Sequence, residues 1–334
     1  MSTERPTGDV ATALAVLGGA TALGGILLAM RGSTPAAAPT PARAPSPHRW
    51  LSVPAEPPVD RQTVVRSARR LNRAAGTLAL SVLADSAVEH YRGSFHNKAM
   101  VAPIITSALS LLVSTHGHFD SRRGAHRVRN AVYAVAGLTG LVGTGFHLYN
   151  VGEKPGGVCW QNLFYGAPLG APAALILSGM LGFLSERLRD NPEDDHPTIF
   201  GLPAGRVLGM MTSLGLFGTV GEAGLLHFRG AFHNPAMVLP VTAPPTAAAL
   251  LAAASLTQGG QPRPFTRWWL RFTALLGFLG AAFHAVGVGR NMGGWRNWRQ
   301  NLLNGPPLPA PPSFTGLALA GLAALGLMED RPDA

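Results

Sequence analysis

The chain has 334 residues, 47% of them hydrophobic and 13% charged, with a formal net charge of +10. A soluble domain carries about 25% charged residues, so this composition excludes an ordinary soluble domain and points to a membrane protein. The positive charge is no nucleic-acid signature, because the arginines cluster between apolar segments and no run interleaves basic with aromatic residues. The single cysteine, Cys159, excludes an intrachain disulfide and a cysteine-ligated zinc or iron–sulfur site.

Apolar segments lie at 10–30, 74–92, 99–115, 130–150, 167–185, 206–227, 236–256, 268–288 and 312–328, each near the ~20 residues that cross a bilayer. The expected fold is an all-α integral membrane protein with nine transmembrane helices. The first segment, within residues 1–31, is longer than a signal-peptide core and has no Arg-rich leader, so a retained helix is expected. Residues 32–65 are rich in Pro and Ala and read as a linker. The remaining eight segments fall into two sets of four, at 66–190 and 200–330.

The two sets are a tandem repeat. His90-Tyr-Arg-Gly-Ser-Phe-His-Asn-Lys-Ala-Met-Val-Ala-Pro103 returns as His227-Phe-Arg-Gly-Ala-Phe-His-Asn-Pro-Ala-Met-Val-Leu-Pro240, with ten of fourteen positions identical and an offset of 137. The same offset relates His96 to His233 and His147 to His284, so six of the eleven histidines are paired by repetition. After a two-residue insertion, Gln161-Asn162-Leu163 matches Gln300-Asn301-Leu302. An even number of spans per repeat gives both repeats the same, parallel orientation.

Arginines 66, 69, 70 and 73, 122, 123, 127 and 129, 187, 189 and 206, and 263, 267 and 271 gather on one side of the spans. The positive-inside bias places that side in the cytoplasm. The protein is then expected in the plasma membrane as a multi-pass chain, N-terminus outside and C-terminus cytoplasmic. All six repeated histidines fall at the opposite, extracytoplasmic level.

Neutral imidazole is a common metal ligand and a frequent axial ligand of haem iron. His90 with His147, and His227 with His284, come from parallel spans at one depth, as a six-coordinate haem b requires. Gly140 and Gly143 below His147, and Gly277 and Gly280 below His284, leave a face without side chains. There a macrocycle lies flat or a neighbouring helix packs closely. Arg92 and Arg229 stand where a guanidinium pairs with a propionate or a lipid phosphate.

Asp85 and Glu222 repeat as acids inside apolar spans, costly unless used. They are candidates for proton transfer or catalysis. Five residues separate each from the following histidine, about 140° around a helix, so the two do not share a face. His96 with Met100, and His233 with Met237, pair imidazole and thioether in a spacing that suits copper or simple packing. Gly156-Gly157 and Gly293-Gly294, followed by tryptophans, read as loops over the histidine side. His116, His118, Asp120 and His126 have no repeat equivalent and read as a solvated loop.

The expected function is a polytopic electron-transfer protein resembling four-helix b-type cytochromes in its paired histidines. Its redox centres would lie near the extracytoplasmic face and serve an extracytoplasmic dehydrogenase or a quinone reaction. The alternative is a non-haem iron, zinc or copper transporter or metal-dependent membrane enzyme, with His90, His96 and His147, or His227, His233 and His284, as direct ligands. A third reading is a cofactor-free membrane scaffold.

Overall fold

The computed structural model describes residues 58–122, 124–190, 195–257 and 259–329. The expected helix at 10–30 and most of the linker at 32–65 lie outside the described residues.

The described chain is all-helical apart from a two-residue strand pair, Thr198–Ile199 with Leu202–Pro203, in the connection between the repeats. Ten α-helices follow in order: α1 Arg61–Arg92, α2 Ala102–Phe119, α3 Arg127–Gly152, α4 Trp160–Phe164, α5 Gly170–Asp190, α6 Ala204–Arg229, α7 Leu239–Leu256, α8 Pro264–Arg290, α9 Trp298–Asn304 and α10 Pro312–Met328. Eight of these are the eight described apolar segments; α4 and α9 are short helices in the equivalent C-terminal loops of the two repeats.

One boundary differs from expectation. Helix α1 begins at Arg61 rather than near residue 74, because Asp60 caps it through Thr63 N–H at 2.6 Å. Val64, Ala68, Leu71, Ala75 and Leu78 also continue a buried stripe at helical spacing. Arg66, Arg69, Arg70 and Arg73 therefore sit on this helix, not in a loop before it.

Among the described residues five helical stretches are long and apolar enough to cross a membrane: Lys98–Phe119, Arg127–Gly152, Gly170–Asp190, Pro235–Leu256 and Pro264–Arg290. Their outward faces carry apolar stripes such as Ile105, Leu109 and Leu112, or Leu275, Phe278, Leu279 and Phe283, all exposed. Contiguous exposed apolar surface of this kind suits a lipid bilayer. The other three long helices are interior or more polar. Helix α10, 17 residues long, is buried along nearly its whole length, as a helix apolar on all sides should be.

Each repeat forms a ring of four helices. In the first, α1 packs on α2 and α5, and α3 closes the ring between α2 and α5. In the second, α6 packs on α7 and α10, with α8 between α7 and α10. The rings are joined mainly where α10 lies along α1. Gly316 permits that approach, since a Cβ there would come within 3.1 Å of Ala74 O. Leu71, Leu78, Leu208, Leu317 and Leu325 belong to one core shared by both repeats.

Candidate functional site

The four span-ending histidines share one hydrogen-bond pattern. His90 Nδ1 lies 2.6 Å from Met100 O and His227 Nδ1 lies 3.1 Å from Met237 O. His147 Nδ1 lies 2.5 Å from Pro168 O and His284 Nδ1 lies 2.6 Å from Pro307 O. A carbonyl only accepts, so in each ring Nδ1 carries the proton and donates it. The tautomer is thereby fixed and the Nε2 lone pair is left available. No Nε2 of the four has a hydrogen-bond partner among the described residues. His90 and His147, from diagonal helices α1 and α3 of the first ring, lie within electrostatic range of each other. His227 and His284 do the same in the second ring. Each pair named from the sequence thus lies within one ring of helices.

The turn after each first histidine is strained in the same way. Ser94 and Phe95 have φ of 58° and 47°, and Ala231 and Phe232 have 54° and 46°. Bulky residues rarely occupy this left-handed region. The turn folds Phe95 edge-on to the His90 ring at 6.3 Å and Phe232 to the His227 ring at 6.1 Å. Asn97 and Asn234 then cap the next short 3-10 turn through the N–H of Ala99 and Ala236. Strain repeated at matching positions marks a place where geometry is held for a purpose.

His96 and His233 sit in these turns, exposed, each with Nδ1 on the carbonyl three residues back, Gly93 at 3.0 Å and Gly230 at 2.9 Å. They precede the helices and do not share a face with the methionines. Met100 and Met237 instead lie over Gly93 and Gly230, which is packing. Among the described residues no three His, Cys, Asp or Glu side chains gather into a metal-holding group.

On α3 and α8, Gly140, Gly143, Gly277 and Gly280 are met by neighbouring backbone and side chains. A Cβ on Gly140 would meet Pro172 O at 2.6 Å, and one on Gly143 would touch Pro172 Cβ at 3.4 Å. Gly277 faces Pro311 O at 2.8 Å and Gly280 faces Pro311 Cβ at 2.8 Å. These faces receive α5 and α10, so close helix packing is the one of the two readings that these contacts support.

Arg92 and Arg229 reach across to the other repeat. Arg92 pairs with Glu89 at 2.9 Å and donates to Leu303 O on α9. Arg229 lies over the rings of Phe164 and Tyr165, at 5.6 and 5.4 Å, beside α4. Phe164 and Leu303 are equivalent positions, offset by the 139 that follows the insertion, so the two arginines clasp the repeats together symmetrically. In the loops themselves Asn162 donates to Gly157 O at 2.7 Å and Asn301 to Gly294 O at 2.8 Å. Gly156, Gly157, Gly293 and Gly294 all have positive φ, a conformation for which glycine is the natural choice.

Asp85 and Glu222 meet near the boundary between the rings, within electrostatic range of each other. They diverge in their bonding. Glu222 Oε1 accepts from Gly170 N–H, the first residue of α5, at 3.0 Å. A side chain at Gly170 would overlap the carboxylate. Asp85 makes no hydrogen bond among the described residues and lines a cavity of about 290 Å³.

The arginine end corrects two expectations. His116, though exposed, lies on α2 and Asp120 ends that helix rather than forming a free loop: Arg129 reaches Asp120 Oδ2 at 2.8 Å, His116 Nδ1 at 3.2 Å and Glu186 at 2.8 and 2.9 Å. Arg129, Glu186 and Arg189 are at most 1% exposed. Asn72 donates to Tyr133 OH at 2.9 Å and Ser185 Oγ at 2.7 Å, and accepts from Arg189 at 3.1 Å. Arg206 and Arg267 are also buried, bonded to Ser255 O and to Glu329. Several arginines expected as free loop charge are therefore internal structure. Of these groups only the repeated ones left a sequence signal: Arg69 and Arg206 bond His118 O and Ser255 O, all at the 137 offset.

Comparison of the chain with protein-family models, with curated proteins and with solved structures finds no match.

Proposed function

We propose that the protein is an integral membrane electron carrier of the b-type cytochrome kind, holding one haem b between His90 and His147 and a second between His227 and His284. The observation that carries this reading is the fourfold Nδ1–H···O=C bond, which orients each imidazole and raises the basicity of the nitrogen a metal would take. With no group of three ligand side chains among the described residues, a pair of imidazoles suits iron in a porphyrin better than a directly ligated zinc, copper or non-haem iron. A haem held by these histidines would supply one-electron transfer.

The chain's own residues then have separable tasks. Met100, Met237, Pro168 and Pro307 hold the ligand rings by their carbonyls. Phe95 and Phe232 lie edge-on to the rings of His90 and His227. Arg229, whose guanidinium has no hydrogen bond among the described residues, is the better placed of the two arginines for a propionate, since Arg92 is engaged by Glu89. Glu222 joins the repeats by capping α5. Asp85 remains the candidate for taking a proton.

In this reading all eight long helices cross the plasma membrane as two parallel repeats. The histidine end is extracytoplasmic, and a membrane quinol or an extracytoplasmic dehydrogenase supplies the electrons. The N-terminus is outside and the C-terminus cytoplasmic. Burial of Arg129, Arg189, Arg206 and Arg267 does not cancel the charge argument, because insertion reads the chain before those pairs form. The test is the visible spectrum of the purified protein with haem extraction. A Soret band that shifts on reduction supports the reading; metal without extractable porphyrin, or neither, overturns it.

A further inference from the structure

The two repeats differ at one place where symmetry would make them the same. Glu222 ends on the backbone N–H of Gly170. The position equivalent to Gly170 in the second repeat is Pro309, which has no N–H to give. Its carbonyl is held by the Ser81 hydroxyl, so it is fixed in place. Asp85 is also one methylene shorter than Glu222. The acid of the first repeat therefore stops short of a partner that could not bond it, and the space between is the cavity of about 290 Å³.

The lining of that cavity has a definite character. Val88, Leu302, Leu308 and Pro309 make apolar walls, the Trp295 indole supplies a flat aromatic side, and Asp85 is the polar group without a partner. Arg92 and Glu89, paired with each other, stand on the side toward the histidine end. Asp85 lies five residues, about 7.5 Å of helix rise, from His90.

We propose that this cavity is a single binding site for the hydroxylated ring of a membrane quinol, with Asp85 accepting a hydrogen bond from a ring hydroxyl and Trp295 flanking the ring. The volume accommodates a monocyclic headgroup, the walls match its apolar faces, and the carboxylate answers its O–H. Among the described residues the equivalent acid of the second repeat, Glu222, is instead engaged by Gly170 N–H. The chain thus carries one quinol site for two histidine pairs. This deepens the electron-carrier reading by locating its donor, and as a binding claim it is measured separately from the haem.

The test uses the purified full chain in detergent and a short-chain alkyl benzoquinol, with binding read from quenching of tryptophan fluorescence and the visible spectrum recorded on the same sample. One site per chain is expected. Asp85→Asn, which preserves shape, should weaken binding by about tenfold or more, the loss of one charge-assisted hydrogen bond. Trp295→Phe should remove most of the quenching, and Glu222→Gln, which still accepts from Gly170, should weaken binding less than Asp85→Asn. Two equivalent sites, an unaltered affinity in Asp85→Asn, or an equal loss in Glu222→Gln overturns the proposal. A normal haem spectrum without quinol binding removes this site alone, whereas quinol binding without haem removes the parent reading alone.

Discussion

Replacing one span-ending histidine tests the pairing directly, and the structure sets the size of the effect. In His147→Ala the only side-chain hydrogen bond removed among the described residues is that to Pro168 O. A net hydrogen bond contributes about 0.5–1.5 kcal/mol, so the protein should remain folded with a modestly lowered melting point. The spectral consequence is larger. With one centre per repeat, half of the low-spin absorbance should be lost and replaced by a high-spin signal, while the second centre stays intact. His284→Ala should do the same in the other repeat, and the double variant should keep no low-spin signal. Added imidazole should restore part of each, filling the space the side chain left. His116→Ala, at the arginine end, should change nothing in the spectrum. If either span-ending variant keeps the full low-spin signal, or if one alone abolishes both centres while the chain remains folded, the assignment of His90 to His147 and of His227 to His284 is wrong.

Three further outcomes follow from named contacts. Glu186→Gln removes the charge that faces Arg129 and Arg189 in a buried setting, and should destabilise the protein by about 3–5 kcal/mol in denaturant or thermal melts; Glu89→Gln, at an exposed pair, should cost under about 1 kcal/mol. Gly170→Ala forces a methyl onto the Glu222 carboxylate and should cost about 1–3 kcal/mol through the lost cap, whereas Gly145→Ala, with nothing within 4 Å of its Cβ, should be neutral or stabilising. Burial raises the Asp120 carboxyl, but hydrogen bonds from Arg129 and the Arg122 N–H, with the arginine charges, outweigh it and hold the group below the usual carboxylate range. Its contribution to stability is therefore complete above about pH 4 and is lost as pH falls through its folded value; Asp120→Asn should lose stability at pH 7 and converge with the unaltered protein in strong acid.

The helices were legible because hydropathy and the repeat both mark them, and α3, α5, α7 and α8 begin and end within a few residues of the expected segments. Helix α1 was cut short in the sequence reading because its first four turns carry Arg66, Arg69, Arg70 and Arg73, which lower the mean hydropathy while leaving the Val64, Ala68 and Leu71 stripe intact. The histidine set was legible because an internal repeat preserves polar residues while the apolar ones drift. What the repeat could not show is a bond to backbone: the carbonyls of Met100, Met237, Pro168 and Pro307 carry no side-chain signature of their use. The glycines below His147 and His284 read equally as a trough or as a packing face, since a missing side chain says only that something approaches. Pro172 and Pro311 are what approaches. The buried arginines misled for a similar reason, because charge in a sequence does not reveal whether a carboxylate from a distant helix, such as Glu186 or Glu329, has come to meet it. The asymmetry between Asp85 and Glu222 was present as Gly170 against Pro309, and acquired meaning once the structure placed those two residues opposite the acids.

The central claim is that two imidazole pairs each grip one haem iron. The direct measurement is haem and iron per chain on the purified protein, with the low-temperature electron paramagnetic resonance spectrum of its oxidised form. The account predicts two extractable haem b and two iron atoms per chain, with low-spin ferric signals of bis-imidazole type. Protein purified after growth with ample iron and haem precursor that holds no haem, or holds haem in a purely high-spin state, contradicts it.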